Sequence, residues 1–267
     1  MSDDLLVAQG VTKRFGGVQA LGGINFTIRR GEIYGLIGPN GAGKTTLFNL
    51  LTALYPCDSG GFMLDGVSLD GLQPHDVAAR GIARTFQNIR LFANLSALEN
   101  VMIGRHIRTR AGVFGAALRN RATRDEEAAI EARAFELLEF VGIRHRANDA
   151  AGDLSYGDQR RLEIARALAT EPRLLALDEP AAGMNASETR ALRTLFEAIL
   201  DRGITLLLIE HDMRLVMGMC DRVLVLNYGE VIVEGPPSKV QYDPRVVEAY
   251  LGKPWPEEEA IFRKDAV

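Results

Sequence analysis

The sequence predicts an α/β fold built around a parallel sheet, with a helical lobe inserted into it. Residues 174–177 and 204–209 are continuous apolar runs, typical of parallel strands buried on both faces, and a helical segment near residues 187–202 lies between them. A third apolar run leads into a glycine-rich loop at residues 38–46, which another helix follows. Between residues 88 and 170, apolar positions recur instead at helical spacing, which predicts the lobe. Strands that alternate with helices in this way form parallel sheets.

The remaining strand candidates are short apolar segments separated by glycine, proline or polar residues. They lie at residues 5–11, 24–28, 32–37, 62–64, 67–69, 81–86, 222–226 and 230–233. Asp65-Gly66 and Tyr228-Gly229 favour tight turns, so they predict two β-hairpins. In the lobe, two sets of apolar residues at helical spacing predict buried helix faces; they are Ile130, Ala134, Leu137, Leu138 and Val141, and Leu162, Ala165, Leu168 and Ala169.

Length and composition narrow the class of protein. A chain of 267 residues can form one large domain, and a net charge of −4 creates no overall field that favours nucleic acid or an anionic membrane. Cys57 and Cys220 are far apart in sequence, which argues against a disulfide framework or a metal site. The N-terminus lacks the basic start of a signal peptide, and no apolar run approaches the ~20 residues of a bilayer span. We therefore expect a soluble cytosolic chain that finds its partners through local surfaces.

Residues 38–46, GPNGAGKTT, fit the pattern G-x-x-x-x-G-K-[ST] of a loop that holds nucleotide phosphates. The glycines let successive backbone N–H groups, with the positive end of the following helix, point at one anionic group. Lys44 would reach the β- and γ-phosphates, Thr45 would offer its hydroxyl to Mg²⁺, and Thr46 would support the helix start or the phosphates. The full candidate set is Gly38, Pro39, Asn40, Gly41, Ala42, Gly43, Lys44, Thr45 and Thr46. The alternative is a glycine-rich turn before an ordinary amphipathic helix.

Two acids, Asp178 and Glu179, follow the apolar run at residues 174–177. The C-terminal ends of parallel strands lie beside the phosphate loop in such a sheet, so Asp178 is a candidate Mg²⁺ ligand. Glu179 is a candidate catalytic residue, because a carboxylate there could polarise a water for attack on the γ-phosphate. The alternative is a strand that ends in solvated acids.

Three further positions are candidates for the same chemistry. His211 follows the apolar run at residues 204–209, where it could sense or stabilise the γ-phosphate, although a lone histidine is usually structural. Gln87 follows the strand candidate at residues 81–86, and a neutral amide there could coordinate Mg²⁺ or hold the attacking water, unless it is an ordinary loop amide. Ser155 precedes a glycine-containing turn and a predicted helix, which makes either a second anion-binding end or an ordinary helix cap.

The chain resembles the ATP-binding subunits of ABC transporters over nearly its whole length. Five motifs occur in the order of that family: the phosphate loop at residues 38–46, Gln87, LSYGD at 154–158, LLALDE at 174–179 and His211. The resemblance implies a P-loop NTPase (RecA-like) core with an N-terminal antiparallel β subdomain and an inserted α-helical subdomain. It also implies an ATPase that uses ATP and Mg²⁺.

On this resemblance we expect a single ABC ATPase domain over residues 1–256 and a polar tail over residues 257–267. The parts of the domain are a core at about residues 1–87 and 171–240, a helical subdomain at about 88–170 and a C-terminal helix at about 241–252. The residues that follow Gln87 would therefore begin the helical subdomain.

The resemblance also implies that two such subunits close head to tail around ATP. Ser155 and Gly157 of one subunit would then touch the γ-phosphate held by Lys44 of the other. Phe15 matches the aromatic residue that the family stacks on adenine. The alternative for Phe15 is a core phenylalanine at the edge of a strand.

The signature segment departs from the commonest form of the family, LSGGQ. Asp158 replaces its glutamine, which puts a carboxylate near the transferred phosphate. Like charges would weaken the contact between subunits, unless Asp158 points outward or pairs with Arg160 or Arg161. The sequence leaves these alternatives open.

Four segments carry a narrower resemblance, to the LivG-type subunit of branched-chain amino-acid importers. They are GIARTFQNIRLF at residues 81–92, NVMIGRH at 100–106, LSYGDQRRLEIARAL at 154–168 and PAAGMN at 180–185. The resemblance implies a subunit that hydrolyses ATP to power uptake of branched-chain or other hydrophobic amino acids. The alternatives are the ATPase of a urea or amide importer or of lipopolysaccharide export, a non-transport ABC ATPase, or a soluble P-loop kinase. The signature argues against the kinase, and a single cassette without sustained heptads argues against the non-transport relatives.

The implied partners are ATP, transmembrane permease subunits contacted through the region after Gln87, and a second ATP-binding subunit, which is either identical or a LivF-type sister. A periplasmic or extracellular solute-binding protein would act indirectly, and we expect no nucleic acid. The expected location is cytoplasmic, peripheral on the cytoplasmic face of the inner (plasma) membrane.

Overall fold

The computed structural model describes residues 3–108, 121–211 and 213–251. These residues divide into two compact units. Of the described residues, the first unit comprises 3–51, 55–70, 209–211 and 213–251, and the second comprises 52–54, 71–108 and 121–208. The polar tail predicted for residues 257–267 lies outside the described residues.

Strands and helices follow one another along the described chain. In chain order, the strands are β1 (Asp4–Phe15), β2 (Val18–Arg29), β3 (Ile33–Ile37), β4 (Ser59–Leu64), β5 (Val67–Ser68), β6 (Ile82–Arg84), β7 (Leu174–Asp178), β8 (Thr205–Ile209), β9 (Arg222–Asn227) and β10 (Glu230–Gly235). The helices are α1 (Lys44–Leu51), α2 (Pro74–Arg80), α3 (Ala97–Arg105), α4 (Arg121–Phe140), α5 (Tyr156–Leu168), α6 (Ala186–Asp201), α7 (Met213–Met219), α8 (Pro237–Val240) and α9 (Pro244–Leu251).

The first unit contains an antiparallel sheet in the order β2-β1-β4-β5. Val7 of β1 pairs with Thr27 of β2 on one side and with Met63 of β4 on the other. Between β4 and β5, Asp65 and Gly66 have φ angles of 53° and 73°, which confirms the predicted hairpin. The antiparallel β part of the expected fold is therefore present near the N-terminus.

A second group of strands in this unit has the order β10-β9-β3. The antiparallel pair β9 and β10 is the other predicted hairpin, and its turn places Tyr228 and Gly229 at φ angles of 47° and 77°. Strand β3 runs parallel to β9, with Tyr34 beside Arg222. Every residue of β3 is buried, so the strand that leads into the phosphate loop lies in the core of this unit.

The strands of the second unit have the order β8-β7-β6, and β6 runs parallel to β7. Strands β7 and β8 are buried throughout, as their continuous apolar sequences predict. Helix α6 follows β7 in the chain and buries Leu192, Phe196 and Ile199. The parallel pair and the buried strands confirm the α/β class.

The helical part of the second unit is built from α3, α4 and α5, which pack against one another. Leu137 and Leu138 on α4, and Leu162 and Ala165 on α5, are each 1% exposed or less. These residues belong to the two apolar faces that the helical spacing predicts. Among the helices that the structure describes, none combines the length and the apolar character needed to span a bilayer.

The periodicity of the sequence does not predict α2. This helix has seven residues and buries one of them, Val77, which is too few for a helical pattern to show. Its ends carry local signals, because Pro74 stands in the first turn and Gly81 follows the last turn with a φ of 110°. A reading of end signals, rather than of periodicity, would have found it.

Candidate functional site

The phosphate loop of the first unit connects buried β3 to α1. Gly38, Gly41 and Gly43 have φ angles of 153°, 81° and 103°, in the region that favours glycine. A Cβ on Gly38 would lie 2.2 Å from the Leu226 carbonyl oxygen, and one on Gly43 would lie 2.8 Å from the Ala20 carbonyl oxygen. Backbone conformation and close packing therefore both require glycine at positions 38 and 43.

Hydrogen bonds hold the loop and its lysine. The Gly229 N–H of the β9–β10 turn donates to the Ala42 carbonyl oxygen at 3.0 Å. Lys44 Nζ donates to the carbonyl oxygens of Gly38 at 2.6 Å and Pro39 at 3.0 Å, and the residue is 9% exposed. The ammonium group therefore lies against the loop where the sequence predicts a phosphate.

The loop also presents accessible residues. Asn40, Gly41 and Thr45 are exposed, and Thr46 is half-buried. Thr45 lies in the first turn of α1, so its hydroxyl is open to a ligand at the end of the helix where anions bind.

Phe15 and His211 also belong to the first unit. Phe15 ends β1, is 44% exposed, and meets the Tyr55 ring edge-on at 5.5 Å between ring centroids. It is therefore not a core residue. His211 is exposed and follows Glu210, whose backbone N–H donates to the Leu36 carbonyl oxygen of β3 at 3.4 Å.

Asp178 and Glu179 lie at the end of β7 in the second unit. Asp178 is 6% exposed, and its backbone N–H donates to Thr85 Oγ1 at 3.3 Å. Burial lowers the pKa of the Arg84 guanidinium to about 10, and the negative charge of Asp178 opposes that shift. Glu179 has a φ of 47°, an uncommon conformation for a residue with a side chain.

Gln87 lies in direct contact with Glu179. Its side-chain Nε2 donates to Glu179 Oε2 at 2.9 Å, across 92 positions of sequence. Gln87 is exposed and Glu179 is half-buried, so both groups are accessible. The fold thus joins two residues that the sequence assigns separately to the attacking water.

The signature segment begins α5. Ser155 caps the helix, since its Oγ accepts from the Asp158 backbone N–H at 3.2 Å, and the same hydroxyl donates to the Asp158 carboxylate at 2.9 Å. Arg160 forms an ion pair with Glu163 at 2.9 Å instead, and Arg161 donates to the carbonyl oxygen of Val141, the residue that follows α4. Asp158 therefore pairs with neither Arg160 nor Arg161. Its carboxylate accepts a hydrogen bond from the hydroxyl of Ser155 in the signature segment.

The candidate metal ligands suit Mg²⁺, which takes oxygen donors and usually keeps waters or substrate phosphate oxygens in its shell. Thr45 offers a hydroxyl, Gln87 an amide oxygen and Asp178 a carboxylate. Within the described ranges, no group of three or more His, Cys, Asp or Glu side chains could hold a metal by itself. Each of the three groups is therefore an oxygen donor of the kind that Mg²⁺ takes.

A sequence model of the ABC transporter family matches residues 21–182, which is more than half of the chain. The match includes the phosphate loop, Gln87, the signature segment and the two acids at the end of β7. The chain belongs to the ABC transporter family. A second family model, for the branched-chain amino acid ATP-binding cassette transporter, matches residues 230–255.

Curated relatives align with this ABC protein over almost all of its length. Over 254 residues, it is 43% identical to the high-affinity branched-chain amino acid transport ATP-binding protein BraF of Pseudomonas aeruginosa and 44% identical to the protein LivG of Salmonella typhimurium, which has the same description. Each alignment covers 95% of this chain and 100% of the relative. The lipopolysaccharide export system ATP-binding protein LptB of Escherichia coli is 34% identical, over 93% of this chain and 97% of its own.

Solved structures agree with this assignment. The ADP conformation of MJ1267, an ATP-binding cassette of an ABC transporter, has a TM-score of 0.82 and 32% identity over 94% of this chain and 100% of that chain. The ATP-binding cassette MJ0796, a dimer in a post-hydrolysis state bound to ADP and Pi, has a TM-score of 0.74 and 26% identity over 87% and 99% of the two chains. This ABC protein is therefore a nucleotide-binding ATPase with a P-loop NTPase core, as predicted.

Sequence reasoning missed several residues that support the candidate site. Thr85 is fully buried and binds the backbone of Asp178, and Arg160 and Glu163 form a buried ion pair beside the Gln87 backbone. The spacing of Arg160 and Glu163 is that of an ordinary pair on a solvated helix face. Nothing local to the sequence distinguishes a buried pair from an exposed one.

Proposed function

We propose that this chain is the ATP-binding and hydrolysing subunit of an importer for branched-chain or other hydrophobic amino acids. The observation that carries this proposal is the match of residues 230–255 to a family model specific to branched-chain amino acid cassettes. The identity of 43–44% to the BraF and LivG proteins, against 34% to LptB, supports amino-acid import over lipopolysaccharide export.

The first unit supplies the residues proposed to bind ATP. Residues 38–46 hold the phosphates through backbone N–H groups, and Lys44 exchanges its loop carbonyl partners for the β- and γ-phosphates. Phe15 stacks on adenine, a role that its exposed ring at the end of β1 supports. His211 stabilises the γ-phosphate as a hydrogen-bond donor.

The second unit supplies the residues proposed to act on the attacking water. Glu179 polarises the water and accepts its proton, and Gln87 positions the water next to Glu179. The hydrogen bond between Gln87 and Glu179 supports these paired roles. Thr45, Gln87 and Asp178 would hold Mg²⁺, which neutralises phosphate charge when bound.

We propose that two ATP-binding subunits close head to tail, either as a homodimer or with a sister subunit. Ser155 and Gly157 then contact the γ-phosphate bound by Lys44 of the other subunit. The exposed Ser155 hydroxyl at the start of α5 supports this role, since the first turn of a helix attracts anions. ATP favours the closed pair because it binds both subunits, and hydrolysis removes that preference.

A groove in the second unit is the proposed contact for a permease subunit. Its volume is about 420 Å³, and it lies beside the segment that leads into Gln87. Phe92 and Leu54 in its lining are 51% and 46% exposed, and the Arg84 guanidinium lies 4.5 Å from the Phe86 ring centroid. A groove with exposed apolar side chains suits an apolar segment of a membrane protein. Such docking would place the chain on the cytoplasmic face of the inner membrane, with a solute-binding protein acting on the far side and no role for nucleic acid.

Co-purification of the tagged chain from its native membrane tests this function. We expect permease subunits in stoichiometric amounts, and ATP hydrolysis that rises when leucine and its binding protein are added. A matched sample that carries Phe92→Glu in the groove should lose the permease and keep its nucleotide binding. Stimulation by urea or lipopolysaccharide would move the assignment to another ABC system, and recovery of ribosomes or DNA would contradict it.

A further inference from the structure

A buried ion pair lies between the signature helix and the loop that carries Gln87. The side chains of Arg160 and Glu163 are 0% and 1% exposed, and Arg160 Nη1 lies 2.9 Å from Glu163 Oε2. Burial raises the pKa of the Glu163 carboxyl above its ordinary value, while Arg160 and the backbone N–H groups of Phe86 and Arg90 oppose that shift. An ion pair of this kind costs desolvation energy that an apolar pair of similar size would avoid.

Both members of the pair form hydrogen bonds with the backbone of the Gln87 loop. Arg160 Nη1 donates to the Phe86 carbonyl oxygen at 2.8 Å, and Arg160 Nη2 donates to the Gln87 carbonyl oxygen at 3.0 Å. In the opposite sense, the Phe86 N–H donates to Glu163 Oε1 at 3.2 Å. The planar guanidinium suits this task because it presents several donors in a fixed fork.

The same guanidinium touches the signature segment. Arg160 Nη2 also donates to Tyr156 Oη at 3.0 Å, and Tyr156 directly follows the Ser155 cap. One buried group therefore contacts the first turn of α5 at one end and the Gln87 backbone at the other. The side chain of Gln87 in turn donates from Nε2 to Glu179 Oε2 at 2.9 Å.

We infer that Arg160 and Glu163 are positioning residues for ATP hydrolysis, which hold the Gln87 loop to the signature helix so that Gln87 meets Glu179. The inference rests on the proposed roles of Gln87 and Glu179. The buried pair then has a function besides stability. Because it links the signature helix to the Gln87 backbone, a displacement of that helix would also move the Gln87 side chain, which is proposed to hold the attacking water.

The test removes the pair without leaving a buried charge. In the full chain, Arg160→Met with Glu163→Leu replaces both members by apolar groups of similar length, a change that proteins often tolerate. We expect amide hydrogen exchange of residues 84–90 to rise about tenfold, as the loop loses its anchors. We expect kcat for ATP to fall by about 10- to 100-fold with KM for ATP changed less than about twofold, since misplacement near the chemistry costs rate. Arg160→Lys keeps the positive charge and loses the planar guanidinium. It should also lower kcat with little change in KM, but by a smaller factor.

A matched control has the same spacing on another helix. Arg133 and Glu136 of α4 form an exposed pair at 2.7 Å, and Arg133→Met with Glu136→Leu should change neither the exchange of residues 84–90 nor kcat. Circular dichroism and the melting temperature of both double variants check that they fold.

Combination with Gln87→Ala asks whether the pair acts through Gln87. If it does, adding the two apolar substitutions to Gln87→Ala should lower kcat no further. A kcat at the unsubstituted level for the double variant, unchanged exchange of residues 84–90, or losses that multiply with Gln87→Ala would overturn this inference alone. Full hydrolysis by Gln87→Ala itself would overturn the proposed role of Gln87, and the inference with it.

Discussion

At the scale of single residues, Glu179 combines an unusual backbone with a specific partner. Its φ of 47° is costly for a residue with a side chain, and such conformations persist where the surrounding fold holds them. The strand before it is buried throughout, and the Gln87 amide binds its carboxylate at 2.9 Å. The backbone thus leaves the extended conformation of β7 at Glu179, whose carboxylate accepts from the Gln87 amide.

Glu179→Gln should leave ATP binding intact and stall turnover, because the amide keeps the shape of the side chain but cannot accept the proton. We expect kcat to fall by about 10²–10⁴-fold, the usual worth of a positioned acid or base. Steady-state hydrolysis and nucleotide binding by fluorescence measure the two effects. Glu197→Gln, on the exposed face of α6, is the matched control. Turnover close to that of the unsubstituted protein would count against the proposed role.

Asp158→Asn should lower the KM for ATP. The carboxylate now accepts from the Ser155 hydroxyl, and a charged acceptor holds a donor about twice as strongly as a neutral one. The cap uses the backbone N–H of residue 158, so the substitution keeps it. Asparagine removes the charge that would repel phosphate, so we expect KM to fall by about threefold. Steady-state kinetics measure it, with Asp153→Asn as the control for net charge. An unchanged or higher KM would show that Asp158 does not oppose the phosphate contact.

The two cysteines should differ in reactivity. Burial raises the pKa of both thiols, to about 12 for Cys220, and Cys220 is 8% exposed whereas Cys57 is half-buried. The thiolate is the reactive form, so Cys220 stays protonated and unreactive at pH 8 and still at pH 9.5. Alkylation with iodoacetamide followed by mass spectrometry should find label on Cys57 alone in the folded protein and on both residues in denaturant. Equal labelling of both in the folded state would contradict the burial of Cys220.

At the scale of elements, the start of α6 depends on residues outside its apolar pattern. Asn185 begins α6: its side chain accepts from the N–H groups of Ser187 and Glu188, and Glu188 accepts in return from the Asn185 N–H. This reciprocal cap fixes where the helix starts after β7 and the two acids. The sequence prediction placed the helix at residues 187–202, one residue later at each end than the observed Ala186–Asp201.

Asn185→Ala should lower the free energy of unfolding by about 1 kcal/mol through loss of this cap. For a domain of this size the melting temperature should fall by about 2–4 °C. Urea unfolding and thermal melts measure the change, and Ser187→Ala, which removes a side chain from the same turn without removing the capping acceptor, is the control. Equal stability of the two variants would show that the cap contributes nothing.

At the scale of the whole molecule, the proposed catalytic residues are divided between the two units. The phosphate loop, Phe15 and His211 belong to the first, and Gln87, the signature segment, Asp178 and Glu179 belong to the second. Each unit therefore holds part of the proposed set. In the proposed head-to-tail closure, a second copy would add its Ser155 and Gly157 to a bound nucleotide, so we expect association to depend on ATP.

The Glu179→Gln protein should therefore dimerise when ATP is present, because ATP binds and is not consumed. Size-exclusion chromatography with light scattering should find a dimer with Mg-ATP and a monomer with Mg-ADP. Adding Lys44→Ala should abolish the shift, since it removes the cation proposed to bind the γ-phosphate. A dimer that forms equally without nucleotide would contradict this mode of closure, and no dimer with ATP would indicate that a sister subunit is required.

The sequence by itself determined the fold class, the phosphate loop, the acids that end β7 and the family. These are local patterns: an apolar run, a turn that needs glycine, and a short motif each carry their physical reason within a few residues. Both hairpins followed from their turns for the same reason. The helix α2 was not predicted, because a helix with a single buried residue shows no apolar periodicity in its sequence.

Only the tertiary structure decided which of these groups meet. Gln87 binds Glu179 across 92 positions of sequence, and Arg160 reaches the Phe86 carbonyl oxygen across 74. The burial of the Arg160–Glu163 pair likewise depends on what packs around α5, since the same two residues at the same spacing would lie in water on an open helix face. Local patterns specify strands, turns and helix ends, whereas contacts between distant side chains are fixed only when those elements pack.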